Sequence, residues 1–179
     1  MNRSILAGVW GFAEATLFFI LPDVLLSYYA LDKKNQLIRL CSITLIGALL
    51  GGTLMYCWGQ YHYAAAYEWV ESVPAINVEL MATVKDNMQQ TGLLAIFLGP
   101  LQGLPYKTFA VQAYGAGISL ETFLLISVPA RLLRFLAIAY IARWIVTGLL
   151  KNLPRKQLIA VWGGVWILVY GLYFYLFPS

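Results

Sequence analysis

The chain has 179 residues, of which 61% are hydrophobic and only 11% charged, with a net charge of +4. A soluble domain carries roughly 25% charged residues, and the mean hydropathy here is +0.73, so a water-covered globule is excluded. The basic residues are too scattered to track a nucleic-acid backbone, while one histidine and two cysteines exclude histidine metal clusters, His-based triads and paired-cysteine zinc sites. The length accommodates a single membrane domain over residues 1–179, with about four to six segments of roughly 20 residues each.

The N-terminus has the outline of a signal peptide: Arg3, an apolar run, then Ala13-Glu14-Ala15. Glu14 occupies the cleavage position and the apolar run continues past it, so retention is expected. Residues 5–31 are almost wholly apolar but interrupted by Glu14 and by Pro22-Asp23. Two full spans need about 40 residues. Arg3 at one end and Lys33-Lys34 at the other favour the same, cytoplasmic side. The expectation is a re-entrant helical hairpin turning at the Pro-Asp pair, backbone that survives only where protein or water covers it. The alternative is one long tilted span kinked at Pro22.

Residues 37–59 read as a transmembrane helix. Its centre, Gly47-Ala48-Leu49-Leu50-Gly51-Gly52, contains a GxxxG spacing that lets another backbone approach closely. Cys41 and Cys57 on that helix would lie about 24 Å apart and cannot pair. Residues 61–90 carry Glu68, Glu71, Glu79 and Asp86 against Lys85, with apolar residues at helical spacing. Two amphipathic helices broken at Pro74 are expected, at or beyond the outer membrane interface.

Residues 92–117 form a second broken stretch, because Gly99-Pro100 and Gly103-Leu104-Pro105 rule out a continuous helix. It is expected to enter and leave on the outer side, as a second re-entrant hairpin opposed to the first. Residues 120–148 read as a long transmembrane helix, followed by Lys151, Arg155 and Lys156, which mark a cytoplasmic loop. Residues 158–177 read as a last span, its Trp and Tyr residues explained by interface belts. The expected fold is therefore an all-α integral membrane protein with two opposed hairpins, N-terminus cytoplasmic.

Arg131 and Arg134 are the candidate chemical centre. They lie about 17 and 21 Å from the outer end of their helix, near the middle of a roughly 30 Å hydrocarbon core. Their i,i+3 spacing puts both on one face, which Ser127 extends, and Pro129 precedes them. A central arginine costs about 2.5–3.5 kcal/mol on insertion scales and needs a partner. Two readings compete: ion pairs with Glu14 and Asp23, or a clamp on a phosphate. On the second reading, Arg131→Ala abolishes activity and spares folding. Arg143, near the cytoplasmic end, is expected to snorkel. Burial favours the neutral carboxyl of Glu14 and Asp23, and a nearby arginine favours the carboxylate, so proton exchange and static pairing both stay open. Lys107 and Gln102 flank the second break, where Lys107 could meet an anionic headgroup or serve as an interfacial anchor. No GxSxG, HExxH, Walker loop or GxGxxG is present, so neither an enzyme nor a cofactor or metal is expected.

The run Glu14-Ala15-Thr16 … Leu21-Pro22-Asp23-Val24-Leu25 resembles the first re-entrant motif of the DedA superfamily, also called the VTT-domain or SNARE-associated Golgi protein family. Gly103-Leu104-Pro105-Tyr106-Lys107-Thr108-Phe109 … Gly115-Ala116-Gly117 resembles its second motif, in the form of its small YqaA-like branch. Phe123 … Ser127 … Ala130-Arg131 … Arg134-Phe135 is similar to the helix that follows. The likeness spans residues 10–148. Most members have an arginine before the motif proline, where this chain has Gln102, and another after it, where Lys107 stands. The resemblance implies a membrane lipid transporter: bacterial members are implicated in recycling undecaprenyl phosphate and in maintaining the proton motive force, and eukaryotic relatives scramble phospholipids. It implies Glu14 and Asp23 as an acidic pair, with Lys107, Arg131 and Arg134 as the basic set near a lipid phosphate in the bacterial inner membrane. The other classes in play are an ion or small-solute transporter and a non-transporting assembly or membrane-shaping protein, with a homo-oligomer open in each case. The positive-inside pattern makes one direct prediction. A C-terminal alkaline phosphatase fusion in a bacterial host is expected to be active and a C-terminal green fluorescent protein fusion dark, and the reverse result would invert the topology.

Overall fold

The computed structural model describes residues 2–176. Helices and the turns between them make up this part of the chain, with no strand among the described residues. Three helices are long and apolar enough to cross a membrane: Leu37–Tyr61, Leu120–Thr147 and Arg155–Tyr175. The last expected span reached to Phe177, which lies outside the described residues.

Helix α1 (Arg3–Thr16) starts at Asn2, whose side chain accepts from the Ser4 N–H at 3.1 Å. The chain breaks over Leu17–Leu21 and resumes in α2 (Pro22–Ala30). The Pro22-Asp23 pair is therefore not the turn that the sequence suggested. Proline opens α2, where its missing N–H costs nothing, and Asp23 sits in the first turn, where the helix dipole favours an acid.

Helix α3 (Leu37–Tyr61) lies against α1 with the backbones in contact. A Cβ added to Gly47 would stand 2.0 Å from the Gly8 carbonyl oxygen, and one added to Gly11 would stand 2.2 Å from that of Thr44. The GxxxG face is thus filled within the chain. On the other side of α3, Ile46, Leu50 and Leu54 are exposed at i,i+4 spacing, a stripe suited to lipid.

Helices α4 (Tyr63–Glu71) and α5 (Val78–Thr91) flank the turn at Pro74, as expected. Much of their apolar face lies inside the protein: Val70, Met81, Val84 and Met88 are buried in one cluster with Tyr106, Phe109 and Phe123, while Trp69 and Val78 stay exposed.

The second broken stretch runs through α6 (Leu93–Leu98), a 3-10 turn (Gly99–Gln102) and α7 (Tyr106–Ala113). Gly103 closes the turn at φ 89°, a left-handed conformation that glycine adopts without a Cβ clash. Helix α8 (Leu120–Thr147) continues through Pro129, and α9 (Arg155–Leu176) follows.

Helix α9 buries almost none of its residues within the protein, so few contacts hold it. They follow i,i+4 spacing. Trp162 and Trp166 both donate their indole N–H to the Ser27 hydroxyl, at 3.0 and 3.0 Å. Tyr170 accepts from the Leu21 N–H at 2.8 Å, and Phe174 packs on Phe19. These aromatics bind the helix to α2 and to the break that precedes it. Arg143 donates to the carbonyls of Ala30, Asp32 and Lys33 at 2.7, 2.9 and 3.2 Å, closing the C-terminal end of α2.

Gly47→Leu is expected to destabilise the protein by about 3 kcal/mol or more by forcing α1 off α3, read as a lower thermal unfolding midpoint in detergent. Gly171→Ala, where an added Cβ meets nothing within 4 Å, is the control and is expected to be neutral.

Candidate functional site

The two helix breaks border one cavity, and charged side chains join them. Glu14 is buried near the end of α1 and pairs with Arg131 of α8, also buried. Asp23, in the first turn of α2, receives Arg134 Nε at 2.9 Å and Nη2 at 2.7 Å, both on Oδ2. Arg134 Nη1 donates to the Pro100 carbonyl at 2.6 Å, in the second break. Lys107, in the first turn of α7, is buried and donates its ammonium to the Phe18 carbonyl at 2.8 Å, in the first break. Each break is therefore held by a cation rooted elsewhere.

Aromatic rings complete the surround of Arg131. Its guanidinium carbon lies 4.3 Å from the Tyr106 ring centroid and 5.1 Å from that of Phe135. Such cation–π contacts are worth about 2 kcal/mol when desolvated. Tyr106 stacks on Phe123 at 5.4 Å and donates its hydroxyl to Ser127 at 3.0 Å, while Ser127 donates to the Phe123 carbonyl at 2.7 Å. Ser127 thus positions Tyr106, and its hydroxyl is engaged within the protein.

A cavity of about 350 Å³ lies between the breaks, bordered by Glu14, Asp23, Tyr106, Lys107, Arg134 and Tyr170. Its apolar wall includes Phe18, Phe19, Leu101 and Val169. The α4–α5 turn at Val73–Ile76 also borders it. Within that turn Ala75 has φ 64°, a left-handed conformation costing an L-residue about 1–2 kcal/mol.

The charge balance decides what the cavity can hold. Arg131 and Arg134 are each matched by a carboxylate, whereas Lys107 makes no ion pair among the described residues. With all five groups charged, one positive charge is in excess, and it borders the cavity. Two buried atoms are unmatched: Asp23 Oδ1 and Arg131 Nε have no hydrogen-bond partner among the described residues.

Of the residues anticipated, Glu14, Asp23, Lys107 and Arg134 meet at the cavity. Arg131 stands behind it, Ser127 acts through Tyr106, and Gln102 is exposed and outside the wall. Both ion pairs foreseen as the alternative to a phosphate clamp are present. Sequence reasoning missed Tyr106 and Tyr170. Tyr106 lies beside Lys107 at the start of a helix that follows a break, which was a usable signal. Tyr170 was hidden among 12 tyrosines, although its i,i+4 register with Trp162 and Trp166 marks it. No metal-binding cluster of His, Cys, Asp or Glu occurs among the described residues.

The fold and site define a helical protein whose three long apolar helices fit an integral membrane protein, with a charged core between its helix breaks. Over 135 residues, the chain is 30% identical to an uncharacterized protein of Haemophilus influenzae, covering 74% of this chain and 68% of that one. It belongs to the family of that protein. No family model matches the chain, and no solved structure matches it.

The pairing also corrects an expectation. Arg131→Ala would leave Glu14 buried and uncompensated, so folding suffers along with any activity. Glu14→Gln and Arg131→Met are each expected to cost about 3–5 kcal/mol, and the double variant much less than their sum. Additive losses in thermal unfolding would show that the pair does not couple.

Proposed function

We propose that the protein is a lipid flippase or scramblase that moves an anionic, phosphate-bearing lipid, such as undecaprenyl phosphate or a phospholipid, across the bacterial inner membrane. On this reading it is a divergent member of the DedA/VTT superfamily and a transporter, not an enzyme. The breaks at Leu17–Leu21 and Gly99–Pro105 are the tips of two re-entrant hairpins that enter the bilayer from opposite faces. The observation that carries the proposal is the Lys107 ammonium, outside any ion pair among the described residues, at a cavity beside arginines already held by acids.

The reading places the phosphate at Lys107 first. Among the described residues, one of the three ammonium N–H groups has a protein acceptor, the Phe18 carbonyl. Arg134 also borders the cavity and can exchange Asp23 for a phosphate oxygen, keeping two N–H donors on an anion throughout. Asp23 released from Arg134 in a low-dielectric interior is stabilised by taking a proton, which is how transport would couple to protons. Arg131 and Glu14 hold the frame while this exchange occurs. Phe18, Phe19 and Val169 give the cavity an apolar side along which a lipid tail can leave toward the bilayer.

The test is lipid translocation in proteoliposomes. Lys107→Ala is expected to slow translocation of a phosphate-bearing lipid by about 10- to 100-fold, the loss of one charged hydrogen bond, and Lys107→Arg is expected to keep part of the rate. Wild-type rates in Lys107→Ala would overturn the proposal. A small anion crossing at wild-type rate while lipid does not would favour a solute transporter.

A further inference from the structure

A second built site lies at the other end of the long helices. The residue 31–36 loop between α2 and α3 is held from several directions. Arg143 donates to three of its neighbouring carbonyls, as described above. Asn35 donates its amide to the Tyr29 carbonyl at 2.7 Å and accepts from Arg3. Asp32 faces Arg3 at 3.5 Å and accepts the Lys34 N–H at 3.1 Å. That N–H, with Arg3 and Arg155 nearby, holds the Asp32 carboxyl below the usual range, so it stays ionised and engaged with the loop.

These ties shape a groove of about 490 Å³ between the start of α3 and the end of α8. Asn35, Gln36, Ile38, Arg39, Tyr140 and Arg143 line it, and no carboxylate does. Two guanidinium groups therefore share a groove without an acid. Four of the five N–H donors of Arg143 go to carbonyls, those of Ala30, Asp32, Lys33 and Asn35. Arg39 is exposed and makes no hydrogen bond or ion pair among the described residues. Its charge has only an outside partner to meet.

Depth and rim specify that partner. Arg39 stands in the first turn of one apolar span and Arg143 in the last two turns of another, the level at which headgroups meet the hydrocarbon. Ile38 is 62% exposed and Tyr140 47% exposed beside the groove, an apolar rim with a phenol of the kind that sits at this interface. A guanidinium matches a phosphate diester with two parallel N–H bonds, and basic grooves between membrane helices suit anionic headgroups.

We propose that this groove holds a resident anionic phospholipid, its phosphate on Arg39 and the Tyr140 hydroxyl, as a site separate from the transport cavity. The loop is fixed before the lipid arrives, so little ordering cost opposes binding. The proposal needs only that the chain sits in a membrane, and it stands or falls apart from the transport reading.

The experiment is native mass spectrometry of the full chain in neutral detergent, titrated with phosphatidylglycerol, phosphatidylcholine or inorganic phosphate. The wild type and Lys107→Ala are both expected to retain one phosphatidylglycerol in preference to phosphatidylcholine. Arg39→Gln is expected to lower that occupancy about tenfold, the loss of one charge-assisted contact, with its unfolding midpoint in lipid-free detergent unchanged. Arg39→Lys is expected to fall between, since it keeps the charge and loses the fork. Equal retention by Arg39→Gln and wild type, or equal binding of the two lipids, would overturn the proposal. Displacement of the lipid by inorganic phosphate at equal concentration would also overturn it, because it would show a free-phosphate site.

Discussion

The pairing of Arg131 and Arg134 with Glu14 and Asp23 is the constraint on which the rest of this structure depends. Each partner is expensive to bury alone, and taking an unpaired ion out of water costs several kcal/mol even after the protein relaxes. The acids lie on α1 and α2 and the arginines on one face of α8. Satisfying them therefore fixes both helices against α8. Arg134 extends the constraint to the second break through the Pro100 carbonyl, and Lys107 returns it to the first through Phe18. Broken backbone has carbonyls that a helix would have satisfied, and here cations satisfy some of them.

Close packing makes those distances attainable. Side chains of ordinary size between α1 and α3 would hold their axes roughly 8–10 Å apart. Glycine removes that spacer at Gly11 and Gly47, and backbone meets backbone. The acidic helices α4 and α5 spend much of their apolar face on α7, which steadies the helix that presents Lys107. The core is thus apolar on one side of the cavity and ionic on the other.

The parts around the core are held more lightly. Helix α9 contributes Tyr170 and Val169 to the cavity wall, yet it is attached chiefly through Ser27, Leu21 and an aromatic face. Arg3, the Lys34 N–H and Arg155 stand near Asp32, while Glu68, Glu71, Glu79 and Asp86 lie on α4 and α5.

Much of this was legible in the amino-acid sequence by itself. The all-helical class, the long apolar helices near 37–59 and 120–148, the breaks near Pro22 and Gly99–Pro105 and the charged residues Glu14, Asp23, Lys107, Arg131 and Arg134 all follow from local rules. Hydropathy, helical periodicity, and the backbone limits of proline and glycine act over a few residues, so a linear reading captures them. What only the tertiary structure decided was which groups meet. Glu14 and Arg131 are separated by 117 positions, and nothing local says which acid each arginine takes. The same holds for Arg143 on the end of α2, for Lys107 on the Phe18 carbonyl, for Tyr170 at the cavity and for Gln102 outside it. Their partners depend on how whole helices dock, and docking is set by glycine contacts and buried charge summed over the fold. The sequence determined that charge would be buried; the packing decided that the arginines would be matched and that Lys107 would be left over.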